Sequence, residues 1–403
     1  MKIAMMVRGF LQTPVPNDIA YSPAKVAQSI AEGLTKNGHD VTFFGPEGTQ
    51  LDVTTVETCG LRPLATDMAE FDNKVSTTDL FADYRFSLYD TVMARTMLER
   101  AKAGEFDCVV FNHFESVLPL APLFPEVPIV YILHDFMDEE RREALEFHSS
   151  PNQYFISISD NQRRNAPDLN YAATVYNGIH PDFFAYEDQA EDYLMFSGRI
   201  TPAKGVKEAV QVAIQSGRRL LIAGSLSKHD YWYFDENVKP FLNDKILFLG
   251  MLDKEQIIKY YQKALALLIP IQWEEPFGLT MAEANACGTP VIAFNRGAVP
   301  EVVINNKTGY IVDNSAEMIL AVDKLDKIKR HDCHEHAKRH FKESRMVKDY
   351  EVALQNIIEI HATKKPSSLF KPKKIAKHIK GLSKRLILTP EKIRIIKKTK
   401  INK

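Results

Sequence analysis

Cysteine is scarce in this chain, with four residues in 403, scattered at positions 59, 108, 287 and 333 without a Cys-x-x-Cys pair. That spacing offers no paired-cysteine framework. Cys108 and Cys287 stand in apolar contexts and read as small core residues, and the expected compartment is cytoplasmic. No apolar run approaches the ~20 residues that span a bilayer. The opening MKIAMMVRGF reads as a first strand, without the charged region, apolar region and cleavage site of a signal peptide. No Gly-x-Gly-x-x-Gly follows the first strand of either half, which disfavours a dehydrogenase. What remains is 45% hydrophobic and 26% charged, the balance of a soluble globular protein with room for two sizeable cores.

The formal net charge of −1 hides an asymmetry. Residues 364–403 carry 15 Lys and Arg against the single acid Glu391, near +14, which leaves 36 basic and 51 acidic residues in 1–363, near −15. An acidic body and a basic tail are physically different objects.

Short apolar runs recur along the body, each followed by a helical pattern. They lie at 2–7, 40–45, 107–112, 128–134, 154–159 and 173–178, then at 193–198, 219–224, 245–250, 266–271, 290–294 and 309–313. Near-continuous apolar strands alternating with helices imply parallel sheets covered on both faces. Two sets of six imply an α/β protein with two Rossmann-like, doubly wound domains, 1–185 and 186–343, joined through the polar, acidic segment 179–192. Residues 46–100 are strand-poor and contain one helical run, Phe81 to Leu98. Residues 344–363 have helical periodicity, with Met346, Val347, Tyr350, Ala353, Leu354, Ile357 and Ile358 on one face.

The stretch WEEPFGLTMAEANACGTPVIAFNRGAVPE, 273–301, carries the most chemistry. Glu275 and Glu283 stand with seven residues between them, and Gly278, several backbone amides and Thr280 fill the gap. Glu283 sits in the Ala-rich pattern of a starting helix. Amides at a helix start suit an anion, and carboxylates accept the paired hydroxyls of a ribose or hexose. The apolar run before it and PVIAF after it place the site at the carboxyl end of a strand in an α/β sheet.

This pattern resembles the donor-site signature of retaining, nucleotide-sugar-dependent glycosyltransferases of family 4, which have the GT-B fold. A second segment, FSGRITPAKGV at 196–206, matches that family's Gly-Arg-x-x-x-x-Lys-Gly motif in every fixed position. Arg199 and Lys204 together neutralise a diphosphate, Arg through its planar fork and Lys as a point charge. The chain has no Asp-x-Asp to hold a metal, so the two cations are expected to take the metal's place and no cofactor is implied. The resemblance further assigns the ribose to Glu283 and the sugar to Glu275 with the amides of Phe277, Gly278, Leu279 and Thr280. It makes His134, at the end of the run 128–134, the histidine facing the reacting sugar. His113 is a weaker candidate, and Asp135 is placed to orient an imidazole or line the acceptor cleft. The last helix, 344–363, is expected to return to the first domain.

One position departs from the family. Where a Gly-Gly pair usually lets backbone approach the donor phosphates, this chain has Tyr21-Ser22 followed by Pro23. Ser22 with Pro23 makes a good helix cap and first residue, which keeps a helix start facing the donor. In the tail, 373–388 places Ile375, Ile379, Leu382 and Leu386 at helical spacing among lysines, a basic amphipathic pattern suited to an anionic membrane surface. A solvated tail is the alternative, and nucleic acid is disfavoured.

The implied activity is retaining, metal-independent transfer of a hexose from a nucleoside-diphosphate sugar, UDP-glucose favoured, to an acceptor that the residues do not name. The expected place is the cytoplasm, with peripheral attachment to the inner face of the membrane through 364–403. A GT-B nucleotide-sugar epimerase or a non-catalytic donor-binding protein is the alternative.

Overall fold

The computed structural model describes residues 1–363 except 17, 18, 20, 68, 69, 71–79, 181 and 182, and no side chains of 80–86. The tail with its amphipathic stretch lies outside the described residues. Residues 1–363 form one compact unit.

Two all-parallel sheets organise that unit. The first contains β1 (Lys2–Met6), β2 (Asp40–Phe44), β3 (Thr55–Glu57), β4 (Cys108–Phe111), β5 (Ile129–Leu133), β6 (Gln153–Ser157) and β7 (Tyr171–Thr174), in the order β3-β2-β1-β4-β5-β6-β7. The second contains β8 (Tyr193–Ser197), β9 (Arg219–Ala223), β10 (Ile246–Gly250), β11 (Ala266–Ile269), β12 (Val291–Phe294) and β13 (Gly309–Val312), in the order β10-β9-β8-β11-β12-β13. Each order reverses once, between β1 and β4 and between β8 and β11. At such a reversal the two following connections diverge to opposite faces and leave a crevice beyond the strand ends. Sequence chemistry explains the strands directly: CVVF, IVYIL and ALLI are buried throughout, as sheets covered by helices on both faces require.

Each of the twelve expected runs contains or overlaps a strand. β3 was not foreseen, because TVE is a three-residue edge strand with a polar, half-exposed face and no apolar run. The run at 173–178 is displaced to Tyr171–Thr174. Beyond it the chain leaves the sheet, and a Cβ on Gly178 would lie 2.6 Å from Glu343 Cα. The helical run at 81–98 extends over Leu80–Lys102.

The helix Glu343–Thr363 buries Met346, Val347, Tyr350, Ala353, Leu354 and Ile357 and packs on the helix Ser22–Lys36. Gly33 makes that contact close, since a Cβ there would lie 2.4 Å from a Val347 methyl. The Arg345 guanidinium donates to the Tyr176 carbonyl at 2.6 Å and pins the start of this helix beside the end of the first sheet. Another link joins the two sheets' surroundings. The Glu301 carboxylate accepts the backbone N–H of Asp160 at 2.7 Å and of Asn161 at 2.8 Å. These amides open the short helical turn Asn161–Arg163 and have no partner within it.

Candidate active site

The residues after β8 and β11 converge because two glycines permit close backbone approach. Gly205 follows the helical turn Pro202–Lys204 at φ +76°, and a Cβ there would lie 1.8 Å from the Pro270 carbonyl oxygen. No other residue fits, so the Lys-Gly pair brings Lys204 against the end of β11. Gly297, at φ +58°, sits against the backbone of Glu275, where a Cβ would come within 2.3 Å of its N and O. Ala298 N–H then donates to the Glu275 carbonyl at 2.8 Å, and Gly297 N–H to the Glu274 carboxylate at 2.7 Å.

The outcome is a cavity lined by Phe196, Ser197, Lys204, Ile271, Glu275, Gly278 and Thr280, among others, at the β8/β11 reversal. Lys204 Nζ lies 2.6 Å from Glu275 Oε2. Trp273 Nε1–H donates to the same oxygen at 3.1 Å, and Lys204 Nζ stands 4.8 Å from the Trp273 ring centre. Gly278, left-handed at φ +89°, caps the helix Leu279–Ala286 without any side-chain capping bond. The first amides of that helix are therefore open to a ligand, with the positive end of the helix dipole behind them.

Not every expected residue enters this cavity. Arg199 follows Gly198 but is exposed, and among the described residues it makes no ion pair. The Phe277 side chain is buried in packing against Tyr176 and Phe341, ring centres 6.0 and 5.6 Å apart, which leaves only its backbone to face a ligand. Leu279 begins the helix. Glu283 lies one turn further on and outside the cavity. Burial raises its pKa, and the opposing pull comes from Lys25, on the helix Ser22–Lys36, and Lys254, on the helix Lys254–Lys263. A lysine from each half of the compact unit thus acts electrostatically on Glu283.

At the β1/β4 reversal lies a second cavity, of about 200 Å³. His134, after β5, lines it, and its Nε2 is 2.9 Å from Asn112 Oδ1. Because Asn112 Nδ2 donates to the Met6 carbonyl at 3.1 Å, its Oδ1 faces the ring as an acceptor. The proton therefore sits on Nε2 of His134, and Nδ1 keeps a lone pair. Burial pushes the His134 pKa down to about 4, so the ring is neutral. His113 is buried beside it, with Nε2 2.7 Å from Ser116 Oγ and 3.8 Å from Asp90 Oδ2. One nitrogen serves both neighbours, so these three do not form a relay through opposite ring nitrogens.

Ser22 is the first residue of its helix, exposed, and outside both cavities. The cap falls one residue earlier than expected, on Tyr21, and that side chain makes no capping bond. Its ring instead lies 5.0 Å from that of Phe10, on the wall of the second cavity. Aromatic burial has won over capping at this position.

Trp273, Gly297, Lys25, Lys254 and Glu301 have site or bridging roles that the sequence reading missed. Asn-Arg-Gly directly after an apolar strand was a turn signal that pointed toward Gly297. The lysines and Glu301 act across long separations in sequence and had no local pattern.

Residues 182–345 match the family described as Glycosyl transferases group 1. A Methanocaldococcus jannaschii protein described as an uncharacterized glycosyltransferase is 25% identical over 357 residues, covering 77% of this chain and 85% of that protein. Glycogen synthase of Mycobacterium tuberculosis is 35% identical over 121 residues, and the match spans only 29% of its length. Among solved structures, sucrose-phosphate synthase from Thermosynechococcus elongatus has a TM-score of 0.71 at 18% identity, covering 89% of this chain and 100% of that one. HepE from Anabaena, solved in complex with UDP, has a TM-score of 0.66 at 15% identity, covering 88% and 100%. The fold is GT-B. Residues 182–345, in its second half, are thus similar to glycosyl transferases group 1 domains, and the chain shares the fold of solved GT-B glycosyltransferases.

Proposed function

We propose that the protein transfers a hexose from a nucleoside-diphosphate sugar, UDP-glucose first among donors, to a hydroxyl acceptor. Configuration is retained and no metal is used, as in the family-4 enzymes that its motifs resemble. The observation that carries this reading is the meeting of Lys204, Glu275 and the open amides of the helix Leu279–Ala286 in one cavity at the β8/β11 reversal. A cation for a phosphate, a carboxylate for sugar hydroxyls and a positive helix end are what a sugar diphosphate needs. HepE, of similar fold, is solved with UDP-glucose, which supports ranking that donor first.

In this reading Glu283 holds the ribose, and Glu275 with the amides of Phe277 to Thr280 holds the sugar. Negative charge grows on the β-phosphate as the bond from the sugar's anomeric carbon to phosphate oxygen breaks. Lys204 and Arg199, brought in from its exposed position, stabilise that charge. The acceptor oxygen bonds to the same face of the carbon, and its proton passes to the departing phosphate oxygen. Glu275 is already engaged by Lys204 and Trp273, which suits a sugar-holding role better than nucleophilic attack. His134, neutral with Nδ1 unprotonated, accepts a hydrogen bond near the reacting sugar.

Residues 364–403 belong to the same proposal as a cationic attachment to an anionic membrane surface on the cytoplasmic side. Among the described residues no helix is long and apolar enough to cross a membrane.

The test is nucleotide release by the full-length protein from UDP-, GDP- and ADP-sugars, with and without EDTA and candidate acceptors. UDP release that EDTA leaves unchanged is expected. A requirement for added magnesium or manganese overturns the metal-free mechanism. Binding of UDP without turnover on any donor or acceptor replaces transfer with a donor-binding role.

A further inference from the structure

Behind the donor cavity stands a pair of hydroxyls that the transfer chemistry above leaves unused. Ser197, the last residue of β8, lines the cavity beside Lys204, whose stem runs 3.9 Å from where a Gly198 Cβ would stand. Tyr261, on the helix Lys254–Lys263, is fully buried, and its OH lies 2.8 Å from Ser197 Oγ. The backbone of Tyr261 is fixed as well. Its carbonyl accepts the Thr289 hydroxyl, which in turn accepts from the Arg330 guanidinium at 3.0 Å.

Elementary acidity sets the direction of the bond between the two hydroxyls. A phenol is a stronger acid than an alkyl alcohol, and its oxygen is the weaker acceptor, so Tyr261 donates and Ser197 accepts. Burial, and after it the charge of Glu283, keeps the phenol protonated. Ser197 has a proton of its own, and among the described residues no hydrogen bond uses it. With one lone pair tied to Tyr261, the Ser197 O–H turns away from the phenol toward the cavity that Ser197 lines. A ligand on this wall meets donors. Lys204 Nζ brings only N–H groups, and the first amides of the helix Leu279–Ala286 are open. The one carboxylate lining the cavity, Glu275, is already held by Lys204 and Trp273. Donors gathered around a cation fit a group that only accepts and carries negative charge. A phosphate oxygen does both, whereas a sugar hydroxyl brings a further proton that needs an acceptor.

We infer that Ser197 is a further binding residue of the donor cavity, donating its hydroxyl proton to a phosphate oxygen of the nucleotide donor, and that Tyr261 is the positioning residue that aims it. The inference rests on the donor reading above and deepens it. The Tyr261 ring packs the core, and its OH acts through Ser197.

Calorimetry on the full-length protein compares UDP, GDP, ADP and pyrophosphate, and saturation-transfer NMR follows the matching nucleosides, which have no phosphate. Ser197→Ala is expected to weaken the best-bound diphosphate about tenfold or more and to leave its nucleoside unchanged. Tyr261→Phe keeps the ring and is expected to weaken the same diphosphate several-fold. In the Ser197→Ala background Tyr261→Phe should change nothing further, because no hydroxyl is left to aim. A merely structural Tyr261 would add its loss to that of Ser197→Ala and weaken the nucleoside too, which overturns the positioning role. Diphosphate binding by Ser197→Ala equal to that of the unaltered protein overturns the phosphate contact, whatever Tyr261→Phe does. Absence of binding of every diphosphate to the unaltered protein counts against the donor reading itself, and this inference falls with it.

Discussion

Lys204 Nζ lies 2.6 Å from Glu275 Oε2, so the cation assigned to the diphosphate and the carboxylate assigned to the sugar neutralise each other across the donor cavity. Both are half-buried, and removing one leaves the other uncompensated. An arriving β-phosphate competes for Lys204 and frees a Glu275 oxygen for sugar hydroxyls, while the Trp273 N–H keeps that carboxylate in place. Lys204→Ala should lower turnover by about 10²–10³-fold, the usual cost of a lost charge-stabilising contact. Glu275→Gln should abolish most transfer yet bind UDP as well as the unaltered protein or better, because Lys204 is released. Weaker UDP binding by Glu275→Gln would contradict the competition.

Glu283 gives a contrasting expectation. A ribose is held equally in ground and transition states, so its loss weakens binding and leaves the bond-breaking step alone. Glu283→Ala should reduce UDP affinity by roughly ten- to a hundredfold, matching ~1.5–3 kcal/mol for hydrogen bonds to a charged group. Calorimetry of UDP with the Glu275 and Glu283 variants separates the roles, and the reverse pattern would show them exchanged.

How far these residues could be read from sequence follows from how local their signals are. Lys204-Gly205 and Glu275 to Glu283 sit on strand ends marked by apolar runs, so their position in the fold was legible. Lys204's contact with Glu275 was not, because it depends on Gly205 passing within van der Waals distance of Pro270, 65 residues away. Ser22 was misread as a cap because cap propensity is weak beside the burial of Tyr21 on Phe10. β3 stayed hidden since a half-exposed edge strand of three residues has no apolar signature. Glu301 ended the motif stretch with no role, and only the folded chain sets it against Asp160 and Asn161.

That last contact predicts a stability effect. Glu301 satisfies two orphan amides with one carboxylate and ties the surroundings of the second sheet to those of the first. Glu301→Ala leaves both N–H groups without that partner and should cost about 1–3 kcal/mol. The urea midpoint should fall while residual donor binding persists. An unchanged midpoint would show that water replaces the carboxylate without loss.

His113, buried, and His134, half-buried, set an acid limit. Folding lowers the His134 pKa from 6.5 to about 4 and that of His113 to about 3, in both cases first through burial. The folded state thus favours the neutral rings. Their contribution is complete above pH 6.5, is drawn down as the unfolded chain takes up protons below it, and is lost as pH falls toward 4 and then 3. Urea midpoints should decline between pH 7 and pH 5, and His134→Asn should shallow that decline. A slope that His134→Asn leaves unaltered would assign the acid sensitivity elsewhere.

The tail adds a prediction from charge alone. Fifteen basic residues and one acid in 364–403, beside an acidic body, require counterions or an anionic partner. Each Lys or Arg near an anionic leaflet contributes about 1 kcal/mol, and apolar residues at helical spacing add buried area. The full-length protein should co-sediment with phosphatidylserine-containing vesicles at low salt and release as salt shortens the screening length. A truncation ending at Thr363 should lose vesicle binding. It should keep donor hydrolysis, since residues 1–363 form one compact unit that holds both cavities. Equal sedimentation of the two forms would remove the membrane role and leave a solvated tail.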